Sequence, residues 1–423
     1  MSSGDPRGTL AAIWRIESPK LIASLSRMLR DVGRAEDLAQ DAFVAALSQW
    51  PGEGIPRNPG AWLMTTAKRR AIDQIRRDKT LHVDSDATSS PSGVTLSLSK
   101  GAVEPDFADS YEEIDDDMLR LMFVACHPVV SKEAHVALTL KLVGGLTTAE
   151  IARAFLVPEP TIAQRIVRAK RTLFEARVPF EVPSGPERLV RLASILETIY
   201  LIFNEGYAAT AGDDVLRPEL VEDALRLGRM LAALVPNESE VLGLVALMEI
   251  QASRMGARVG PSGEPILLLD QDRSRWNRLL ISRGRNALAK AQELGTSLGP
   301  YALQSAIAAC HARAATPEET DWERIAALYD ALGQLTPTPV VELNRAVAVG
   351  MAFGPQAGLE IANALLDQPS LRNYHLLPAV RADLLFKLGR LSEARSEFER
   401  AAALARNSRD RTLLLARASE CHP

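Results

Sequence analysis

Residues 144–173 constrain the fold of this chain more than any other stretch. Their sequence, GGLTTAEIARAFLVPEPTIAQRIVRAKRTL, predicts a short helix, a tight turn and a longer helix. Thr147 and Glu150 have the spacing of a capping box, in which a hydroxyl and a carboxylate bond the free amides at a helix start. The turn falls at 156–158, and Pro160 suits the first turn of the next helix. These signals predict a helix-turn-helix.

The second helix of this motif has one apolar and one polar face. Ile162, Ile166 and Leu173 recur at helical spacing and should point inward. The polar face carries side chains able to reach bases and phosphates in a major groove: Thr161, Gln164, Arg165, Arg168, Lys170 and Arg171. The sequence therefore predicts a DNA-reading helix, although the same motif also occurs in proteins that do not bind DNA.

After a stretch with Leu21, Leu25 and Leu29 at helical spacing, two further helices are predicted before this motif. The first lies within 37–50 and carries Leu38, Ala42, Ala45 and Ala46 on one stripe. The second begins at Asn58-Pro59, because Asn can cap a helix and Pro fits its first position. One side of the second helix is apolar, and the other is cationic: Lys68, Arg69, Arg70, Arg76, Arg77 and Lys79. This cluster predicts either a phosphate-binding surface or a solvated helix face.

Composition favours an all-α protein. The chain has 423 residues, of which 24% are charged and 5% aromatic, and its net charge is −4, so any basic surface must be local. No stretch approaches the roughly 20 uncharged apolar residues of a membrane span, and the first ten residues have no apolar signal core. We therefore expect a cytoplasmic protein with no membrane partner.

Neither cysteine spacing nor catalytic motifs indicate an enzyme or a metalloprotein. Cys126, Cys310 and Cys421 are scattered, and although each precedes a histidine, none has the spacing of a zinc site. The chain contains no HExxH, GxSxG or phosphate-loop motif. We expect buried thiols, no catalytic residue, no metal and no cofactor.

Taken together and in this order, the two halves resemble a bacterial RNA polymerase sigma factor of the extracytoplasmic-function class. GRAEDLAQDAFVAALSQW is similar to the part of the sigma-two domain that docks on the polymerase clamp. NPGAWLMTTAKRRAIDQIRR is similar to the helix that melts and reads the minus-ten box, and the helix-turn-helix is similar to the sigma-four motif that reads the minus-thirty-five box. Pro158 stands where that family usually has a capping serine.

The resemblance implies core RNA polymerase, through its clamp and flap, and promoter DNA as partners. It implies polymerase binding by Asp37, Leu38, Gln40, Asp41 and Phe43. It implies minus-ten contacts by Trp62, Lys68, Arg69, Arg70, Asp73, Arg76 and Arg77. It implies minus-thirty-five contacts by Thr161, Gln164, Arg165, Arg168, Lys170 and Arg171.

The remaining half of the chain resembles the tetratricopeptide-like C-terminal extension of one subgroup of these sigma factors. Five residues stand at the small, turn and packing positions of such a repeat: Ala382, Gly389, Ala394, Phe398 and Ala401. Ala346 and Ala306 align with Ala382 in degenerate earlier copies. Stacked helix pairs of this kind predict an α-solenoid, which either binds a protein or small-molecule ligand or is a passive lid.

These patterns predict an all-α chain in four parts. They are a sigma-two domain at 8–80, a flexible acidic linker at 81–111, a sigma-four helix-turn-helix domain at 112–178 and a tetratricopeptide-like extension at 186–423. We expect a sigma factor that directs promoter-specific initiation and whose extension regulates or supports it. The alternative is a dimeric helix-turn-helix regulator with a sensor domain, which would not need the clamp-like and melting-like helices.

Several local expectations concern the linker and the extension. The acidic run from Asp106 to Asp117 could be an anionic linker segment in the RNA path of polymerase, or a merely solvated stretch. An apolar stripe, Leu189, Leu192, Ile195 and Leu196, should pack on the DNA-reading half. Gly206 should end a helix in the left-handed conformation, and Asp270, Asp272, Arg273 and Trp276 should form a helix start with an ion pair.

Overall fold

The computed structural model describes residues 6–86, 111–208, 216–261, 263–295, 297–405 and 407–422, with side chains at all of these except 6–8, 78–86 and 111–112. The described residues form eighteen α-helices and no strand, and one isolated bridge joins Val259 to Pro265. The all-α prediction is confirmed. The chain divides into two compact units, Met1–Thr198 and Ile199–Pro423.

The first unit contains seven complete helices and the beginning of an eighth. They are α1 (Pro6–Leu29), α2 (Val32–Glu53), α3 (Pro59–Asp86), α4 (Tyr111–Ala125), α5 (Lys132–Leu138), α6 (Thr148–Ala154), α7 (Glu159–Glu175) and α8 (Gly185–Tyr207). A π-helical turn at Thr139–Val143 continues α5. Helix α1 contacts α2, α3 and α4, so it lies at the centre of this unit.

Local sequence signals begin these helices as predicted. The Asn58 side chain accepts from the amide of Ala61 at 3.0 Å, and Pro59 is the first residue of α3. Thr147 and Glu150 form both halves of the capping box. Leu156 has a φ of 51°, which places the tight turn where the motif requires it. These residues act through bonds within one turn, which is why their positions are readable from the sequence.

Only the two ends of the expected linker region are described, and both are helical. Helix α3 continues to Asp86, past the expected domain end at 80, and residues 87–110, with Asp106 and Asp109, lie outside the described residues. The run from Glu112 to Asp117 forms the first turns of α4, and Asp117 is only 1% exposed. The Asp117 carboxylate is therefore buried between packed helices and is not solvated.

The beginning of α8 belongs to the first unit. Leu192, Ile195 and Leu196 are buried, whereas Leu189, expected on the same stripe, is 62% exposed. The guanidinium of Arg191 donates to the carbonyl of Phe123 at 2.9 Å and lies over the Phe123 ring. Arg191 and Thr198 therefore connect the beginning of α8 to the end of α4 and to Cys126, which follows it.

The second unit stacks helices that are neighbours in sequence. After the end of α8 they are α9 (Pro218–Leu234), α10 (Ser239–Ala252), α11 (Arg278–Leu294), α12 (Pro300–Arg313), α13 (Trp322–Leu335), α14 (Pro339–Phe353), α15 (Pro355–Ala364), α16 (Leu376–Lys387), α17 (Leu391–Leu404) and α18 (Ser408–Glu420). From α12 to α18, each helix contacts the next along the chain, which is the arrangement of an α-solenoid.

Small residues let these helix pairs approach closely. Ala346, Ala382, Ala394 and Ala401 are fully buried and Phe398 nearly so, while Gly389 has a φ of 73° in the turn between α16 and α17. A Cβ atom built on Gly358 would lie 2.5 Å from the carbonyl oxygen of Ala346, so α14 and α15 meet backbone to backbone. The repeat positions assigned from the sequence are confirmed.

Two local expectations in this unit are wrong. Gly206 lies inside α8 without a left-handed φ, and a Cβ atom there would lie 2.7 Å from the amide nitrogen of Val221. Its small size therefore allows α9 to approach. Asp272 does cap a short helical turn, but Arg273 donates to the carbonyls of His311 and Ala314, both at 2.8 Å, instead of to a carboxylate. Both differences come from partners distant in sequence.

Candidate nucleic-acid interface

Helix α7 presents a polar face on a fixed apolar base. Ile162, Ile166 and Leu173 are buried as predicted. Of the expected DNA contacts, Thr161, Gln164, Arg168 and Arg171 are exposed and Arg165 and Lys170 are half-buried. Arg171 also bonds Glu175 at 2.7 Å, and this hydrogen bond raises the pKa of its guanidinium. The exposed donors therefore stand on the side of α7 that faces away from the core.

The beginning of α7 has no side-chain cap. Pro158 occupies the capping position and offers only its carbonyl, which accepts from the amide of Thr161 at 2.9 Å. A serine at this position would fold its hydroxyl onto the first-turn amides. Here Pro160 has no N–H and the Thr161 amide is already bonded, so the start of α7 offers few amides to an anion such as a DNA phosphate.

Helix α3 carries most of its expected cationic face. Arg69, Asp73, Arg76 and Arg77 are exposed, and Trp62 and Arg70 are half-buried. Trp62 packs edge-to-face on Trp50, with ring centroids 5.3 Å apart. This contact fixes α3 to α2 near the end of the cationic face.

Lys68 does not belong to that face in this structure. Its side chain is only 4% exposed, because it lies on the side of α3 that also buries Ala67 and Ala71. The placement of Lys68 on the exposed cationic face is wrong. The side chain of Lys79 lies outside the described residues.

The residues expected to bind polymerase lie along α2. Asp37, Gln40 and Asp41 are exposed, Phe43 is half-buried against Trp14 with ring centroids 4.7 Å apart, and Leu38 is buried. Leu38 therefore supports the helix from beneath and offers no surface to a partner in this conformation. The exposed residues of this set, Asp37, Gln40 and Asp41, are acidic or polar.

Two buried carboxylates join the helices of the two expected DNA-reading domains, and neither was identified from the sequence. Glu36, on α2, is 2% exposed and binds Lys170 of α7 and Lys141, the latter at 3.5 Å. Asp117, on α4, binds Arg27 of α1 at 3.2 Å and Arg120 at 2.7 Å. Lys170, expected to face DNA, thus has a carboxylate partner here.

The described residues hold no group of three or more metal-ligating side chains. Cys126, Cys310 and Cys421 are buried and free, and burial raises the pKa of the Cys126 thiol despite its hydrogen bonds to Thr139 and Thr198. A raised pKa keeps a thiol protonated and poorly nucleophilic. No helix of the described chain is both long and apolar enough to cross a membrane.

Comparison with known protein families assigns these helices. The model of sigma-70 region 2 matches residues 13–80, and that of sigma-70 region 4 matches residues 120–173. Residues 191–292 match a family of unknown function (DUF6596). The chain belongs to the extracytoplasmic-function class of RNA polymerase sigma factors and carries a helical C-terminal extension. Sigma factors are non-catalytic initiation factors that bind core RNA polymerase and promoter DNA.

The curated relatives include an uncharacterised protein and sigma factors of this class. An uncharacterised protein of Rhizobium meliloti is 43% identical over 392 residues, which cover 92% of this chain and 90% of the relative. The probable ECF RNA polymerase sigma factor SigI of Mycobacterium tuberculosis is 28% identical over 54% of this chain and 77% of its own length. The ECF RNA polymerase sigma factor SigW of Bacillus subtilis is 27% identical over 41% of this chain and 90% of its own. No solved structure matches the chain.

Proposed function

We propose that the first unit docks on core polymerase through α2 and reads the promoter through α3 and α7. In this assignment residues 8–80 act as the sigma-two domain and residues 112–178 as the sigma-four domain. The observation that carries it is the pairing, on both α3 and α7, of a buried apolar side with an exposed side rich in arginine. Arginines on α3 then bind phosphates, and the start of α7 reaches base edges.

The docking surface on α2 consists of Asp37, Gln40 and Asp41, with Phe43 beside them. Exposed carboxylates steer association with a basic partner, and an apolar group at the rim slows its release. Asp41→Arg is expected to abolish co-purification with core polymerase and run-off transcription. Asp367→Arg reverses an exposed charge in the second unit and is the matched control. Co-purification of both variants at the wild-type level would exclude this surface.

The upstream box is read by α7, with Arg165 as the main candidate for a base contact. Arg165→Ala is expected to weaken binding of holoenzyme to the preferred box by about 1–3 kcal/mol, because a bidentate contact to guanine is lost. The measurement is affinity for promoter fragments with the native and with a scrambled upstream box. An equal loss on both would make Arg165 a phosphate contact only.

The closed first unit has to open for both boxes to be read at once. The two boxes are about 25 base pairs apart, which is roughly 85 Å of duplex. Helix α2 contacts both α3 and α7, so these two helices lie within roughly 20 Å of each other. We therefore assign the Glu36–Lys170 contact to a resting form that separates on polymerase and promoter.

Opening can be measured by energy transfer between labels on Gln49 and Glu175, which are exposed ends of α2 and α7. The native cysteines are buried, so new cysteines at these positions label selectively. Transfer is expected to fall when core polymerase and promoter DNA are added to the full chain. Unchanged transfer in a transcribing complex would contradict the assignment.

The extension at 186–423 is proposed to support activity, since residues 191–198 already pack within the first unit. A mainly apolar groove of about 850 Å³ lies between residues 265–270 and helices α14, α16 and α18. This groove suits a protein segment or an apolar small molecule as the ligand of the solenoid.

The supporting role of the extension can be tested with a chain stopped after Ala208, which keeps α8 and is expected to transcribe poorly. Higher transcription activity than that of the full chain would make the extension an inhibitor.

A further inference from the structure

The loop before α11 and the helix itself carry a run of cations with no carboxylate among them. Residues 273–290 contain five arginines and one lysine but neither aspartate nor glutamate, within a chain whose net charge is −4. Most charge runs of this kind are solvated helix faces. The packing of α11 determines whether these cations are scattered or gathered.

The inner side of α11 is fixed against α10. Ile281, Gly284 and Leu288 are buried. A Cβ atom built on Gly284 would lie 2.6 Å from the side chain of Ile250, so the two helices are as close as a glycine permits. The outward face of α11 is therefore held in one orientation.

An open groove of about 750 Å³ lies between the edge of α11 and the end of α12, with Ile281, Leu288, Ala289 and Ala312 as its apolar lining. Its polar lining consists of Arg278, Ser282, Arg285, Asn286, Gln292 and Arg313, all exposed. Within the described part of the chain, none of the three arginines has a hydrogen-bond or ion-pair partner. The groove thus gathers three uncompensated positive charges from two helices.

We propose that this groove binds the phosphate backbone of duplex DNA. Arginine, serine, asparagine and glutamine are the side chains that donate to phosphate oxygens. Arg278 and Arg285 are two turns apart, about 10 Å along the helix, which is close to the rise of three base pairs. No aromatic side chain lines the groove, whereas a protein partner would be expected to use such an anchor.

This site goes beyond promoter reading by α3 and α7. It assigns DNA-backbone binding to the last helix of the region that matches the family of unknown function, residues 191–292. Contacts to phosphates carry no sequence information, so the extension adds affinity for duplex without altering which promoter is preferred.

The test is the affinity of the full-length protein for a random-sequence duplex, measured by fluorescence anisotropy over a range of salt concentrations. The variant Arg278→Ala/Arg285→Ala/Arg313→Ala is expected to bind at least about tenfold more weakly at low salt. Its salt dependence should flatten by about 2–3 in the log–log slope, since each lost phosphate contact removes about 0.9. The matched control, Arg372→Ala/Arg395→Ala/Arg400→Ala, removes the same charge from exposed positions elsewhere in the second unit.

Four results would overturn the proposal. An equal loss of affinity in the control variant would mean that only net charge matters. An unchanged slope, or no binding of duplex by the wild type, would exclude the groove as a DNA site. Loss of polyglutamate binding with duplex affinity retained would make its partner an acidic protein. Because the duplex contains no promoter box, the difference between the wild type and the groove variant does not depend on box reading, which Arg165→Ala tests separately.

Discussion

The two units of this sigma factor pair their charges over very different distances along the chain. In the first unit, buried Glu36 binds Lys170, and buried Asp117 binds Arg27, so each pair joins helices far apart in sequence. In the second unit many pairs lie within one helix, as in Arg395–Glu399. The first unit therefore depends on long-range contacts that separation of its helices would break. The second is a stack of neighbours whose contacts are mostly local.

The largest expected effect is at Asp117. Asp117→Asn removes the buried charge and leaves Arg27 and Arg120, each about one-third exposed, beside a neutral amide, so the expected loss is that of hydrogen bonds to a charged group, about 1.5–3 kcal/mol. The loss should appear in the first unit only, as faster hydrogen exchange in α1 and α4 with α12 unchanged. Glu113→Gln is the control, because Glu113 is on the same helix and within 4.0 Å of Arg27 but is half-exposed. Comparable losses in both variants would show that burial of the pair is not what matters.

The second unit contains a buried histidine, His311, whose contribution to the stability of the unit depends on pH. Desolvation by burial, together with Arg254 and Arg273, lowers the pKa of His311 to about 3. In the unfolded chain the imidazole has its ordinary pKa of 6.5, so the unfolded state takes up the proton first as pH falls. The second unit is therefore expected to lose about 2 kcal/mol of stability between pH 7 and pH 5.

His311→Phe tests this dependence, because phenylalanine can keep the edge-to-face contact with Trp322 and cannot titrate. Urea unfolding of the second unit, followed by hydrogen exchange at pH 7 and pH 5, should show a smaller pH dependence in the variant. Parallel losses in wild type and variant would assign the acid sensitivity to other groups.

The smallest effects are expected at the local pairs of the second unit. Arg395→Ala removes an exposed pair within α17 and should change stability by less than about 0.5 kcal/mol. Arg417→Ala should cost about 1–2 kcal/mol, because Arg417 binds Asp383 on another helix and lies over the rings of Phe386 and Phe398. Thermal unfolding of both variants gives the difference. Equal losses of stability in the two variants would mean that the sequence separation of an ion pair does not predict its contribution to stability.

Much of the helical framework could be predicted from the sequence. The capping box at Thr147, the start of α3 at Asn58 and the buried stripe of α7 were all readable, because each depends on residues within one or two turns. The repeat positions around Ala382 were readable for the same reason, since each helix of a solenoid packs on its neighbours.

The wrong predictions at Lys68 and Gly206 share one cause. Lys68 was assigned to a cationic face from helical spacing, yet the side of α3 that it occupies is covered by other helices. Gly206 was assigned to a helix end, yet the approach of α9 is what requires a glycine there. In both cases an element elsewhere in the chain determines the environment, and periodicity within one helix carries no information about it.

The sequence by itself determined the helices, their caps, the family and the order of the DNA-reading segments, because these follow from short-range hydrogen bonds and apolar spacing. Only the tertiary structure decided that Glu36 and Asp117 are buried and bind cations from distant helices. Likewise, only the packing of α11 on α10 beside α12 gathers Arg278, Arg285 and Arg313 around one groove. A charge on a helix can be read locally, but whether it is paired, buried or available depends on which other helix packs beside it.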